Sequence, residues 1–548
     1  MVATASLIDQ SSSAYAYPLL IKQLLHTPLA VSPEQEIVYR GQVRHNYWTL
    51  RHRIGQVANY LQALGVRPGD TVAVMDWDSH RYLECYFAIP MMGATLMTVN
   101  VRLSPDQIAY TLNHSGASVL LINAEFLSAL DKIRGELRHI DRFVLIDDSG
   151  TVEVPAYFVN EYEALLEEAS PEFEFADFDE NTRATTFYTT GTTGAPKGVY
   201  FSHRQIVLHT LATMAALASS PRQGRIDRDD VYMPITPMFH VHAWGMPYIA
   251  TVLGIKQVYP GRYLPETLLD LIRREKVSFS HCVPTVMQML LTHPAGKDID
   301  LSGWKVIIGG SALPTGLAQL ALARGIDIFA GYGMSETCPV LTLAQVKTSM
   351  LDDESQSVDI RTKAGVPIPL VDLRIVDTEM HDVAHDGKTP GEVVVRAPWL
   401  TQGYLDDAKA SETLWEGGYL HTNDIGVVDS DGYLQITDRI KDVIKTGGEW
   451  VSSLEVESLI SRHPAVSEVA VVGIKDEKWG ERPLALVVLK PDGVADKGAI
   501  QAHLAEFVER GMISKYAIPQ SILFVESLEK TSVGKINKKA LRSLYANA

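Results

Sequence analysis

The sequence predicts an α/β protein: a large layered N-terminal part followed by a small α+β domain. Three observations carry this. Helix-like and strand-like segments alternate over the first 440 residues, which implies parallel sheets covered by helices. From about residue 440 the texture changes to short apolar strands around one helix. The length of 548 residues exceeds what a single hydrophobic core supports.

The elements follow in chain order. Ile54, Val57, Leu61 and Leu64 fall on one helical face, Gly65 closes that helix, and a strand is expected over Thr71–Trp77. Ser104 and Pro105 read as a helix cap and first-turn proline, ahead of a strand over Ser118–Asn123. Lys305–Ile308, a helical stretch Pro314–Arg324 and Ile326–Ala330 form a further β-α-β unit. Beyond residue 440, strands over Val469–Val472, Leu484–Leu489 and Ile522–Val525 surround a helix carrying Leu504, Phe507 and Val508. The expected division is therefore residues 1–440 and 441–548.

Composition narrows the function classes. With 46% hydrophobic and 21% charged residues the chain is of ordinary globular type. Its 66 acidic against 49 basic residues, net −17, argue against a nucleic-acid surface. Cys85, Cys282 and Cys338 stand far apart, so neither a zinc site nor a disulfide framework is indicated, and a reducing cytoplasm fits. No cationic patch followed by an apolar stretch marks a secretory signal. Residues 231–255 lack any Asp, Glu, Lys or Arg, yet Pro234, Pro237, Pro247, His240 and His242 interrupt them. We read this segment as a buried strand-turn-helix passage, part of it lining an apolar pocket, and expect no integral membrane segment.

Several motifs carry chemistry. Residues 188–198 read Tyr-Thr-Thr-Gly-Thr-Thr-Gly-Ala-Pro-Lys-Gly. Thr189, Thr190, Thr192 and Thr193 offer hydroxyls, Gly191 and Gly194 let backbone amides approach an anion, and Lys197 adds a charge. Such a loop suits a nucleotide triphosphate, although it lacks the Gly-Lys-Ser/Thr ending of the common NTPase loop. Gly331-Tyr332-Gly333-Met334-Ser335-Glu336-Thr337 follows a strand, where parallel-sheet proteins bind ligands. It misses the hydrolase elbow Gly-x-Ser-x-Gly at Thr337. His240 and His242 have no third ligand nearby in sequence for zinc.

This loop and the motifs after it resemble those of the adenylate-forming superfamily, which includes acyl-CoA synthetases, luciferases and peptide-synthetase adenylation domains. The resemblance spans essentially the whole chain, and six motifs occur in the family order. It implies a large N-terminal domain of stacked α/β sheets with a β-barrel-like part, and a small mobile C-terminal domain. It assigns Tyr332 to the adenine, Ser335 to a phosphate, Thr189 and Glu336 to Mg²⁺, and counts Gly310 and Gly331 in the nucleotide site. Asp424 and Arg439 match the ribose-binding pair, Lys441 the hinge position, and Lys445 a lysine near the nucleotide. Lys535, in a closing lysine-rich run, matches the catalytic lysine that reaches the substrate carboxylate and the α-phosphate.

Within the superfamily, Lys445-Thr446-Gly447-Gly448-Glu449-Trp450 resembles the loop near adenylate and pantetheine in medium- and long-chain fatty acyl-CoA synthetases. So does Pro237-Met238-Phe239-His240-Val241-His242-Ala243-Trp244, in which Trp244 matches a gate of the acyl tunnel, Val241 lies beside it, and His240 matches a residue beside the adenylate. The implied reaction joins a carboxylic acid to coenzyme A at the expense of ATP, with Mg²⁺. The implied substrate is a medium- or long-chain fatty acid, and because related fatty acyl ligases often pair, a homodimer is the expectation. Three alternatives stay open: a ligase for aromatic or short methylthio-substituted acids, an acyl-AMP ligase feeding a carrier protein, and a silent nucleotide-binding module.

Overall fold

Segments that are apolar on both faces become central strands. Thr71–Met75 is buried at every position and pairs in parallel with Thr95–Thr98 on one side and Ala117–Asn123 on the other. The computed structural model, which describes residues 7–189, 195–351, 353–446, 449–476, 478–531 and 535–545, builds these strands into four sheets. Of Glu354, Glu449 and Trp450 only the backbone is described.

A seven-stranded sheet holds Thr71–Met75 at its centre and is parallel except for its edge strand Gly198–Ser202. In a nine-stranded sheet the strands Asp327–Gly333, Lys305–Ile308, Phe279–Cys282, Val231–Pro234, Lys256–Tyr259 and Glu36–Tyr39 run parallel in that order. Helices such as Tyr47–Ala63, His80–Met91 and His203–Ser219 cover the two sheets, which share one hydrophobic core. Where the resemblance implies a barrel-like part stands an antiparallel sheet of Asp372–Val376, Gly391–Arg396, Leu420–Val428 and Leu434–Arg439.

The residues from Ile444 onward have cores of their own. The long hairpin Val466–Asp476 and Gly480–Leu489 packs on helices Ser453–Ser461 and Lys497–Glu509 through Val456, Leu459, Val471, Val487, Leu504 and Phe507. A smaller cluster on the other face of the hairpin buries Leu528 and Leu541. The chain enters this domain through residues 440–443, directly after the strand Leu434–Arg439.

Local signals held where the chemistry was local. Helix Pro105–His114 starts with a full capping box, Ser104 with Gln107. Strand Lys305–Ile308 has the expected bounds. Two strands differ. The one expected over Thr71–Trp77 ends at Met75, because the Asp76 carboxylate accepts bonds from the Trp77 amide at 2.8 Å and the Ser79 hydroxyl at 2.6 Å, turning the chain into the next helix. The one expected over Ile326–Ala330 runs on to Gly333, because Gly331–Gly333 pair antiparallel with Val340–Leu343. Residues 231–255 do form a strand, Val231–Pro234, a turn, and a helix, Met246–Leu253. Among the described residues no helix is long and apolar enough to cross a membrane.

Candidate active site

The site lies at the carboxyl ends of two parallel strands. Ile308 pairs with Ala330, so Gly309 and Gly310 leave one strand beside Gly331 and Tyr332 on the next. Around this edge a cavity of about 40 Å³ is lined by His240, Val241, Trp244, Gly310, Tyr332, Ser335 and Lys535, among others. The sequence places these residues as much as 295 positions apart, and the fold brings them together.

On the nucleotide side, the Asp424 carboxylate is buried and accepts two bonds: from the Tyr332 hydroxyl at 2.8 Å and from Arg439 Nε at 3.0 Å. Asp424 and Arg439 face each other across paired antiparallel strands, which fixes that geometry. Burial, and then the Asp424 charge, push the Tyr332 phenol well above its ordinary range, so it remains a donor. Ser335 opens a short 3₁₀ turn, Ser335–Thr337, that carries Glu336 inward.

Glu336 is only 8% exposed, and burial raises its pKa. The Tyr404 hydroxyl, donating at 2.7 Å to Oε1, pulls the other way, as do Arg439 and Lys535. Tyr404 also joins the site to the threonine-rich loop. Lys197 Nζ sits 4.4 Å from the centroid of its ring and 3.7 Å from Asp407 Oδ2, while the Thr189 amide donates to the Lys197 carbonyl at 2.9 Å. Thr190, Gly191, Thr192, Thr193 and Gly194 lie outside the described residues, as do Gly447 and Gly448.

Lys535 reaches the same edge from the C-terminal domain. Its Cε packs so closely on Gly310 that a Cβ there would lie 2.9 Å away, and Gly310 itself adopts a left-handed φ of +79°. Burial chiefly, helped by the Arg439 charge, lowers the Lys535 pKa from 10.5 to about 8, with Asp424 and Glu336 opposing. Burial holds the His240 imidazole down at about 3, assisted by Lys535 and Arg102, so this ring is neutral at physiological pH.

The acyl side is unusual in its backbone. Val241, His242, Ala243, Trp244 and Gly245 all have positive φ, from +47° to +74°, one turn of left-handed helix. Such a turn costs roughly 1–2 kcal/mol per non-glycine residue, so tertiary packing must hold it. All four of those side chains are buried, and the His242 ring is 2.9 Å through Nε2 from the Thr185 hydroxyl. His242 is thereby a packing residue rather than half of a metal pair. The turn lays the Trp244 indole against Gly309, where a Cβ would lie 2.8 Å from Cη2, and beside the His281 ring at 4.9 Å.

The remaining expected residues stand farther out. Lys441 is exposed at the domain junction, with Arg439 and Asp424 in its electrostatic surroundings, and burial lowers its pKa. Lys445 is exposed on the strand Ile444–Thr446 and does not line the cavity. Trp450 lies opposite Lys445 in the paired strand. Two contributors escaped the sequence: Tyr404, which no local pattern marks, and Gly309, which the Gly-Gly pair after a parallel strand could have flagged.

The geometry assembles an aromatic hydroxyl, two buried acids and a lysine from the C-terminal domain around one strand edge, a set suited to an adenine nucleotide and an anion beside it. The chain belongs to the family of AMP-binding enzymes: that family's model matches residues 25–405, and the model of the AMP-binding enzyme C-terminal domain matches residues 455–535. It is 40% identical to a long-chain-fatty-acid–CoA ligase of Thermus thermophilus over 531 residues, 95% of each chain. It is 36% identical to a 3-methylmercaptopropionyl-CoA ligase of Ruegeria lacuscaerulensis, covering 97% of this chain and 98% of that one. The crystal structure of the anthranilate CoA ligase AuaEII in complex with anthranoyl-AMP superposes with a TM-score of 0.85 at 26% identity, over 96% of this chain and 98% of that one.

Proposed function

We propose that this enzyme is an AMP-forming acyl-CoA synthetase: a carboxylate and ATP give acyl-adenylate and pyrophosphate, and coenzyme A then gives acyl-CoA and AMP. The observation that carries the reading is Lys535, brought from a separate domain onto Gly310 in the cavity that His240, Tyr332 and Ser335 also line.

The chemistry needs no general base. A carboxylic acid, with a pKa near ~4–5, is already ionised at neutral pH, and repulsion between anions is what opposes its attack on the α-phosphate. Lys535 supplies a cation at the point of attack, and Lys197 with the threonine-rich loop supplies charge and donors for the departing pyrophosphate. Tyr332 stacks on the adenine, Ser335 binds a phosphate, and the Asp424–Arg439 pair holds the ribose. Lys441 serves as hinge, and Lys445 approaches the nucleotide when the domain turns. His240, neutral and half-buried, donates beside the new carbonyl without adding a competing charge. The donors at Thr189 and Glu336 are a hydroxyl and a carboxylate, the all-oxygen set that Mg²⁺ takes, and the ion would neutralise charge on the phosphates. Gly447, Gly448 and Trp450 belong to the loop that meets coenzyme A.

The acid is a medium- or long-chain fatty acid, admitted beside Val241 when Trp244 leaves its place on Gly309. A second reading, a ligase for a short methylthio-substituted acid, is favoured by one observation: with the indole on Gly309 the cavity is only about 40 Å³. We place the enzyme in the cytoplasm, where its three free, buried cysteines suit a reducing compartment, and expect it to pair as a homodimer. Replacement of Lys535 by alanine tests the reading: acid-dependent pyrophosphate release should fall by about a thousandfold, and unchanged release would refute it.

A further inference from the structure

The C-terminal domain touches the N-terminal one through its first helix. Helix Ser453–Ser461 of the small domain ends against the start of helix Thr315–Ala323 of the large one. The approach is close: a Cβ at Gly316 would lie 2.7 Å from the Ser461 carbonyl oxygen. Gly316 does not have the left-handed φ that favours glycine, so its backbone would accept any residue, and the Ser461 backbone is the neighbour that excludes one. Around it the Thr315 hydroxyl lies 3.4 Å from the Ser458 hydroxyl and accepts from Arg462 Nη2 at 3.4 Å. Thr315 is buried although it is polar and starts a helix. The contact sets the negative end of one helix on the positive end of the other, and no side chain caps the latter.

Two features make this contact a candidate for control rather than simple packing. Among the described residues the two domains have separate hydrophobic cores, and the groups that meet here are polar ones and backbone. And the contact belongs to the same domain placement that lays Lys535 on Gly310.

Resting on the adenylating role of Lys535 given above, we propose that Gly316 and Thr315 form the seat on which Ser461, Ser458 and Arg462 dock, and that this docking positions Lys535 for the first half-reaction. The five are positioning residues, acting through Lys535. The absence of a side chain at 316 is then a requirement of adenylation, and the second half-reaction, which needs no lysine at the phosphate, does not depend on it.

Gly316→Ala is the test, because alanine suits a helical backbone better than glycine, so that a defect is traced to the Ser461 contact. Two rates are measured: acid-dependent ATP–pyrophosphate exchange, and thioester formation from a synthetic acyl-adenylate and coenzyme A. The expected result is a roughly tenfold or greater loss of exchange, carried by kcat with KM for ATP within about twofold, and thioester formation within about twofold of the parent. Arg462→Ala, which spares the backbone of both helices, should move exchange in the same direction by a smaller factor, and it decides the matter should Gly316→Ala fail to fold. Exchange unaffected in the variants, or both half-reactions falling in proportion, would overturn the proposal. A parent enzyme that exchanges pyrophosphate with no acid would instead overturn the ligase reading itself, and the inference with it.

Discussion

Lys535 titrates where an enzymologist can watch it. Its ammonium is held in the cleft by Asp424 and Glu336 but disfavoured by burial and by Arg439, which brings the pKa from 10.5 to about 8. That difference corresponds to about 3 kcal/mol against the charged form. The sign follows directly. Because the folded value is depressed, the proton leaves as the pH rises through about 8, well below the range of a free lysine. About nine-tenths of the enzyme carries the charged lysine at pH 7 and about one-tenth at pH 9. If the charged form is the one that adenylates, kcat/KM for ATP–pyrophosphate exchange should fall tenfold per pH unit above about 8, since that ratio reports the free enzyme. Coenzyme A is left out of the assay because its thiol titrates near ~8.5 and would add a limb of its own. His240, neutral above pH 4 or so, contributes nothing in this window. Lys535→Arg, slower but charged throughout, should lose the falling limb. A profile flat to pH 10, or the same limb in the arginine variant, would refute the assignment.

Further predictions follow from individual contacts. Asp424→Asn removes the charge that Tyr332 and Arg439 share; hydrogen bonds to a charged group contribute about 1.5–3 kcal/mol, so KM for ATP should rise about ten- to a hundredfold with a smaller change in kcat. Tyr404→Phe takes away a bond that holds the Glu336 pKa down, so the Mg²⁺ concentration for half-maximal exchange should increase, and more at pH 6 than at pH 8; an equal requirement at both pH values would contradict this. In the N-terminal domain, Arg53 donates to the buried Glu84 at 2.6 Å and to Glu163 at 2.8 Å; Arg53→Leu leaves the Glu84 carboxylate with the Tyr162 hydroxyl but without its cation, while Glu163 keeps Arg81. Urea unfolding should show a loss of about 3–5 kcal/mol, and a loss under about 1 would remove the pair from the account of stability.

How much of this was legible in the sequence depends on the range of the forces involved. Helix Pro105–His114 was legible because its start is fixed by Ser104, Pro105 and Gln107, all within four positions. The strand through Ile326–Ala330 was legible only to Ala330, since its extension through Gly333 depends on Val340–Leu343, which folds back antiparallel. The left-handed turn from Val241 to Gly245 was not legible: valine, histidine, alanine and tryptophan have no preference for positive φ, and burial of their side chains imposes it. Asp424 and Lys535 are, from the residues alone, a turn aspartate and a lysine in a basic tail; only the order of motifs marked them. Tyr404 carries no such mark, and its bond to Glu336 spans 68 positions.

One measurement tests the central claim most directly: pyrophosphate release and thioester formation, assayed separately with ATP, Mg²⁺ and coenzyme A over straight-chain acids from acetate to stearate, with benzoate, cinnamate and 3-methylthiopropionate alongside. The account predicts both products together, with an optimum among the medium- or long-chain acids. Pyrophosphate without thioester would contradict coenzyme A as the acceptor, and neither product with any acid would contradict the synthetase itself.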